Sequence, residues 1–302
     1  MRALITGATG FVGRALLTHI EQPVVLSRDA RQARAVLGDV EIHAWDPGSG
    51  PPPAESFQGV EAVFHLAGES VGQGRWTANK KRRIHESRSL GTTNLVRGIA
   101  SLAQRPPVLV SASAIGYYGP RGDEILDETA LPGGDFLSQV CIDWENAASV
   151  ARASGVRVVN PRIGIVLGRG GGALAKMLTP FKFGLGGRLA SGRQWMSWVH
   201  LDDLVGLMLH AVRHPIEGPL NAVAPHSVTN REFTQTLAMV LSRPALLPVP
   251  ALALRVLLGE FAEALLASQR VVPRVAEQTG FHFFFPELGA ALEDAVQSLG
   301  HS

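Results

Sequence analysis

The residues best suited to chemistry open the chain. Leu4 to Gly13 reads Leu-Ile-Thr-Gly-Ala-Thr-Gly-Phe-Val-Gly, with glycines at 7, 10 and 13. This spacing predicts a loop that holds a phosphate chain. Gly7 permits a tight turn, Gly10 lets a pyrophosphate approach the backbone, and Gly13 lets the following helix pack close to the strand. A helix beginning at Phe11 or Val12 would add orphan N–H groups and the positive end of its dipole. Thr9, Phe11 and Val12 therefore join the glycines as cofactor-binding candidates. A glycine triplet alone is weak evidence. It gains weight here because a short apolar strand, Arg2–Ile5, precedes it and a helical stretch follows.

Such a loop needs a scaffold. Short apolar runs without alternation occur at Pro23–Ser27, Ala62–Leu66, Val108–Ser111 and Arg157–Val159. These suit parallel strands covered on both faces. Helical stretches at Ala30–Leu37, Ala78–Leu102 and Phe136–Ala153 lie between them. The alternation predicts an α/β fold, a Rossmann-like doubly wound parallel sheet. Ligands then sit at the carboxyl ends of the strands. Those ends are Thr6–Gly13, Ser27–Arg28, Leu66–Ser70, Ser111–Ser113 and Pro161–Ile163.

The second strand ends Leu26-Ser27-Arg28-Asp29. An acid at this place binds ribose hydroxyls, whereas a base accommodates a 2′-phosphate. Ser27 and Arg28 come first, and Arg28 can pair with a phosphate and stack on adenine. NADP is favoured. NAD is the lesser alternative, because a one-residue shift of the turn would present Asp29.

Beyond about residue 165 the alternation weakens, and Gly168 to Arg193 is rich in glycine. Met196–Leu201 reads as a strand and Asp202–His214 as a helix starting at an Asp cap. Thr229-Asn230-Arg231-Glu232 reads as a capping box ahead of a helix over Phe233–Leu241. Pro250 suits the first position of another helix. Phe281, Phe283, Phe284 and Phe285 read as core. We expect a nucleotide-binding domain over 1–164, with part of 195–225 returning to its sheet. A smaller, helix-rich substrate lobe would occupy 165–302.

Composition narrows the partners. With 302 residues, 46% of them hydrophobic, the chain can build a sizeable core. A net charge of +2, and no aromatics interleaved with Lys80-Lys81-Arg82-Arg83, argue against nucleic acid. The late apolar stretch Ala245–Ala267 is broken by Pro248, Pro250, Arg255, Glu260 and Glu263, so no membrane span is expected. The first apolar stretch is too short for a signal peptide. Cys141 is the sole cysteine, which suits a reducing, cytoplasmic setting. The ten histidines are scattered, and no metal is expected.

With these pieces assembled, the chain resembles the extended short-chain dehydrogenase/reductases of the NAD(P)-dependent epimerase/dehydratase group. The resemblance rests on Thr6 to Gly13, His65-Leu66-Ala67-Gly68, Gly91-Thr92-Thr93-Asn94-Leu95, Pro161-Arg162 and Trp198-Val199-His200-Leu201-Asp202-Asp203. Further stretches are similar to a subgroup of uncharacterised epimerase-family proteins with a C-terminal domain of unknown function. They include Ala67-Gly68-Glu69, Arg75-Trp76-Thr77 with Lys81, Ser87-Arg88, Gly116-Tyr117-Tyr118-Gly119, Trp144-Glu145, Gly184-Leu185-Gly186-Gly187, Leu258-Gly259-Glu260 and Gln269-Arg270. The resemblance implies a Rossmann domain with a substrate lobe, and an epimerase or reductase acting on a small molecule of nucleotide-sugar type. It assigns Leu66, Ala67, Gly68, Lys81 and Arg162 to the cofactor's surroundings. It leaves a homodimer open, since helix-pair dimers are common in the family.

The family's chemistry uses a Ser or Thr at the end of the fifth strand and a Tyr-x-x-x-Lys pair on the next helix, the Lys lowering the Tyr pKa by its charge. Ser113 matches the first element. Aligned on Glu145, the helix puts Leu137 where the Tyr is expected and Cys141 where the Lys is expected. Tyr117 and Tyr118 are the only tyrosines, and neither has a Lys four residues later. The catalytic candidates are therefore Ser113 with Tyr118 or Glu69 as proton carrier. The same departure supports a second reading, a protein that binds NADP without turnover and positions its C-terminal lobe for a partner.

Overall fold

The computed structural model describes residues 1–297. Its centre is an eight-stranded parallel sheet. Seven strands lie on one path: β1 (Arg2–Thr6), β2 (Gln22–Ser27), β3 (Glu41–Ala44), β4 (Ala62–His65), β5 (Val108–Ser111), β6 (Arg157–Ile163) and β7 (Gly218–Ala222). Their order is β7-β6-β5-β4-β1-β2-β3. A two-residue piece, Ser113–Ala114, continues past β5 and pairs with β6. The order reverses between β1 and β4, which opens the ligand crevice of a doubly wound sheet at their carboxyl ends.

Strand residues alternate between two buried layers, which explains the unbroken apolar runs. Ile5, Val25, Phe64, Val110 and Val159 face one side, with Leu16 of α1 (Phe11–Leu17) and Leu204, Leu207 and Met208 of α6 (Leu201–Arg213). Leu4, Val24, Val63, Leu109 and Val158 face the other, with Leu95 and Ile99 of α3 (Ala78–Ala100) and Ala148 of α4 (Phe136–Ser149). α2 is the expected Ala30–Leu37. Two strands give little sequence signal. β3 lies at the sheet edge and is only half-buried, and β7 begins Gly-Pro.

Several local expectations are corrected. The expected strand Met196–Leu201 is two short pieces. Trp195–Met196 pairs antiparallel with Val228–Thr229, and Trp198–His200 pairs parallel with Ile165–Leu167. α6 is capped by His200, whose Nδ1 accepts from the Asp202 N–H at 3.3 Å, so Asp202 lies in the first turn and is not the cap. The expected Phe136–Ala153 helix tightens after Ser149 into a 3₁₀ turn, Val150–Ser154, closed by Gly155 at φ 78°. Pro250 is the extended residue before α8 (Ala251–Leu258), at ψ 143°, and not its first helical residue.

The C-terminal lobe has its own core. Leu174 and Phe181 of α5 (Gly172–Lys182) meet Phe233 and Leu237 of α7 (Asn230–Val240) and Leu288 and Leu292 of α11 (Leu288–Val296). Thr229 and Glu232 form the capping box in full. The helix starts at Asn230, immediately after its Thr229 cap. Phe281, Phe283 and Phe285 pack against core residues, but Phe284 is 78% exposed. The Asp203 carboxylate accepts from the N–H groups of both Phe284 and Phe285, which fixes the segment and turns the Phe284 ring outward. Between these elements lie α9 (Phe261–Leu266) and α10 (Arg274–Gln278). Among the described residues no helix is long and apolar enough to cross a membrane.

Candidate functional site

A cleft of about 790 Å³ opens at the β1–β4 reversal. Its floor is the glycine loop. Gly7 has φ 72°, and a Cβ there would sit 2.8 Å from the Leu66 carbonyl carbon. A Cβ on Gly13 would meet the Gly7 oxygen at 2.2 Å. The Gly10 N–H closes the turn onto the Gly7 oxygen at 2.9 Å. The backbone is therefore packed so tightly beneath Thr9 and Gly10 that only glycine is tolerated at 7 and 13.

The opposite side of the cleft is the Leu66-Ala67-Gly68 segment, which hangs from β1. Thr6 Oγ1 accepts from the N–H groups of Leu66 at 3.2 Å and Ala67 at 3.1 Å. His65 extends this tie, joining Thr6 Oγ1 at 2.7 Å and Thr92 Oγ1 of α3 at 2.9 Å. Burial, aided by the nearby Arg88 charge, pushes its imidazole down to about 4, so the ring is neutral at pH 7.

Ser27, Arg28 and Arg14 also line the cleft. Sequence reasoning missed Arg14, although its place four residues after Gly10 was the available signal. Asp29 lies there too, but its carboxylate accepts from the Gln32 N–H at 2.9 Å and caps α2.

Two loop residues face elsewhere. The Phe11 ring covers the Gly168–Gly172 turn, where a Cβ on Gly171 would lie 2.3 Å from it. This contact accounts for Gly171 and Gly172, which leave room for the ring. Val12 lines a second pocket, not the first cleft.

That second pocket holds about 450 Å³, and Leu66 lines both cavities. Ser113 stands in its wall with Leu137 and Cys141 of α4. Ser113 Oγ donates to Glu145 Oε1 at 2.7 Å. Arg162 grips the same carboxylate with Nε and Nη2, each at 2.9 Å. Burial opposes the Arg162 charge, but the Glu145 carboxylate outweighs it and holds the guanidinium above its usual range. Burial also pushes the Cys141 thiol up to about 11, with Glu145 adding to the rise, so the sulfur stays protonated at pH 7.

Besides Phe11, four expected site residues lie outside both cavities. Tyr118 is fully buried, and its hydroxyl bonds Asn221 Oδ1 at 2.6 Å and receives Arg162 Nη1 at 2.9 Å. Burial pushes its phenol up to about 12, and a proton carrier needs both access and a pKa nearer neutrality. Glu69 is paired with Lys80 Nζ at 2.6 Å and Arg83 Nε at 3.6 Å, and Lys80 holds its carboxyl below the usual range. Lys81 reaches Glu260 at 2.7 Å and lies over the Phe136 ring, so it ties α3 to the C-terminal lobe and does not reach the cofactor cleft. Arg162 lies beneath Ser113, bound to Glu145.

Sequence reasoning also missed what holds these residues. Glu145 served there only as an alignment marker. Lys80, the buried member of the basic run, was passed over for Lys81. Arg88 stacks over Trp144 and donates to the Glu69 and Ile84 carbonyls, with its guanidinium against Gly68.

The comparisons with known proteins agree with this architecture. The model of the NAD dependent epimerase/dehydratase family matches residues 3–223, and that of a domain of unknown function, DUF1731, matches 249–295. The epimerase family protein MT2273 of Mycobacterium tuberculosis is 40% identical over 299 residues, covering 98% of each chain. The human epimerase family protein SDR39U1 is 37% identical over 306 residues, 98% of this chain and 100% of its own. The crystal structure of human SDR39U1 (isoform 2) with NADPH superposes with a TM-score of 0.88 at 36% identity, covering 98% of this chain and 99% of that one. A UDP-glucuronic acid 4-epimerase of Bacillus cereus, at 14% identity and a TM-score of 0.79 over 99% of this chain and 100% of its own, shares the fold. The glycine loop, the doubly wound sheet and these matches establish that the chain belongs to the NAD-dependent epimerase/dehydratase family and carries the DUF1731 segment at its C-terminal side.

Proposed function

We propose that this chain binds NADPH in the first cleft and acts, as an epimerase or reductase, on a small molecule held beside Ser113. One observation carries the choice of cofactor. Arg14 and Arg28 both line the cleft, while one oxygen of the neighbouring Asp29 carboxylate is engaged as a helix cap. Two guanidiniums suit a 2′-phosphate, and an acid free to bind ribose hydroxyls is what NAD would need. The glycine cradle fits a diphosphate, because a Cβ at Gly7 or Gly13 would clash with backbone. The human relative crystallised with NADPH supports the same reading.

When bound, the nicotinamide supplies hydride exchange. The chain's own residues decide what else is possible. Ser113 Oγ gives its proton to Glu145, so its lone pairs are free to accept from a substrate hydroxyl. A proton leaving that hydroxyl would pass to Ser113 Oγ as the serine proton moves to Glu145 Oε1. Arg162 donates to both oxygens of Glu145 and fixes its orientation. Leu137 and the neutral Cys141 close the wall and move no proton.

That last point favours a second reading, cofactor binding without turnover. Calorimetry with NADPH and NADH tests the first step. Nicotinamide absorbance with sugar nucleotides, aldehydes and ketones tests the second, with product analysis for epimerisation. Failure to bind either dinucleotide overturns the proposal. Tight binding with no conversion across the panel leaves the binding protein. A single cysteine, which can form no internal disulfide, is in keeping with a reducing, cytoplasmic setting.

A further inference from the structure

The two cavities differ sharply in charge. The first presents Arg14 and Arg28 to its contents. The charged residues in the wall of the second are Arg88 and Asp135, and both are engaged by the protein. Arg88 donates to two backbone carbonyls and stacks on Trp144. The Asp135 carboxylate accepts from the Ser138 N–H at 2.8 Å and its hydroxyl at 3.0 Å. Among the uncharged polar groups, the Trp144 indole N–H has no partner among the described residues, whereas Gln269 and Ser197 are engaged. Gln269 Nε2 donates to the Ile115 and Gly119 carbonyls, and Ser197 Oγ donates to the Gln269 carbonyl. The remaining wall is dominated by hydrocarbon, including Val140, Ile163, Met177 and Met196.

The roof comes from the C-terminal segment. Phe261, Ala264 and Leu265 of α9 face the pocket. Trp76 packs against the Phe261 ring with centroids 5.6 Å apart and against Phe136 at 5.4 Å. The Lys81–Glu260 pair pins the start of α9 to α3. An apolar roof is thereby set over Ser113.

We infer that the molecule held in the second pocket is a carbonyl or alcohol at the end of a hydrocarbon body, with Ser113 meeting its oxygen and α9 covering its chain. This rests on the reading of the first cleft as the cofactor site. A nucleoside-diphosphate sugar is disfavoured on two grounds. Its diphosphate would lack a free cation, and its hydroxyls would be desolvated against hydrocarbon without partners.

The test uses the intact chain with NADPH bound. Quenching of tryptophan fluorescence reports occupancy, because Trp144 and Trp195 line the pocket. The probes are methyl ketones from 2-butanone to 2-dodecanone, with UDP-glucose as the polar arm. Affinity should rise about fourfold per added methylene until the pocket is full, and UDP-glucose should bind more weakly than 2-decanone. Leu265→Gln should weaken 2-decanone about tenfold and Leu265→Ala by less, while NADPH affinity is unchanged in both. Chain-length independence, or tighter binding of UDP-glucose, overturns the inference. The wild-type length series decides the matter even where a variant fails to fold. Failure of the cofactor reading shows separately, as absent NADPH binding with ketone binding intact.

Discussion

Glu145→Ala is the sharpest probe of the network beneath Ser113. The Arg162 side chain is 4% exposed, and Glu145 accepts two hydrogen bonds from it at 2.9 Å. Removing the carboxylate leaves that charge with the Tyr117 ring, the Tyr118 hydroxyl and, at 3.4 Å, the Glu128 carbonyl, none of them an anion. An orphaned partner of a buried ion pair costs about 3–5 kcal/mol, whereas the lost Ser113 bond accounts for about 1.5–3 kcal/mol at most. The orphaned charge should therefore dominate. At about 2–4 °C per kcal/mol for a domain of this order of size, Tm should fall by at least about 6 °C. Thermal and urea unfolding of Glu145→Ala, Arg162→Met and a Glu145→Leu/Arg162→Met double variant separate the contributions. The double variant should be more stable than Glu145→Ala, because apolar groups replace both charges. NADPH affinity should be unchanged in all three, since neither residue lines the first cleft. A Glu145→Ala protein within about 1 kcal/mol of wild type would refute the reasoning, as would a double variant no more stable than that single one.

Other consequences follow from the two clefts. Arg28→Ala should weaken NADPH roughly 10- to 100-fold and leave NADH nearly unchanged, the size of one charged hydrogen bond; equal weakening of both by calorimetry would remove Arg28 from phosphate recognition. Gly13→Ala must displace the Gly7 carbonyl, 2.2 Å from the new Cβ, so dinucleotide binding should be lost in a protein that still shows its helical circular dichroism. The His65 imidazole titrates near 6.5 when unfolded and near about 4 when folded. Between those pH values the unfolded chain takes up a proton that the folded chain refuses. Stability should therefore fall as pH drops through that window, by about 3 kcal/mol at most, and His65 should add no further loss below it. Urea midpoints across pH 7–4 should show this slope in wild type and a flatter one in His65→Gln; identical slopes would exclude His65 as the source.

Some features are written locally in the chain. The glycines at 7, 10 and 13 answer to backbone sterics within one turn, and unbroken apolar runs answer to a sheet covered on both faces. Thr229 and Glu232 close a capping box across three residues. The absence of a Tyr-x-x-x-Lys pair is equally plain, because it is a matter of residue identity at a fixed spacing. Where signals were weak, as at half-buried β3, the pattern had no apolar face to display.

The chemistry of the site belongs to the tertiary structure. Ser113 and Glu145 are 32 residues apart, and Tyr118 and Asn221 are 103 apart. No periodicity links such pairs; they meet because α4, β6 and β7 are packed against one another. Packing also decides that Lys80 is buried on Glu69 while Lys81 swings to Glu260, although the two are adjacent in sequence. Tyr118, a reasonable proton carrier by position, is removed from that role by burial, and Asp29 commits one carboxylate oxygen to capping α2. Backbone requirements act over a few residues and leave a readable spacing, whereas side-chain partnerships depend on which surfaces come together in the folded chain.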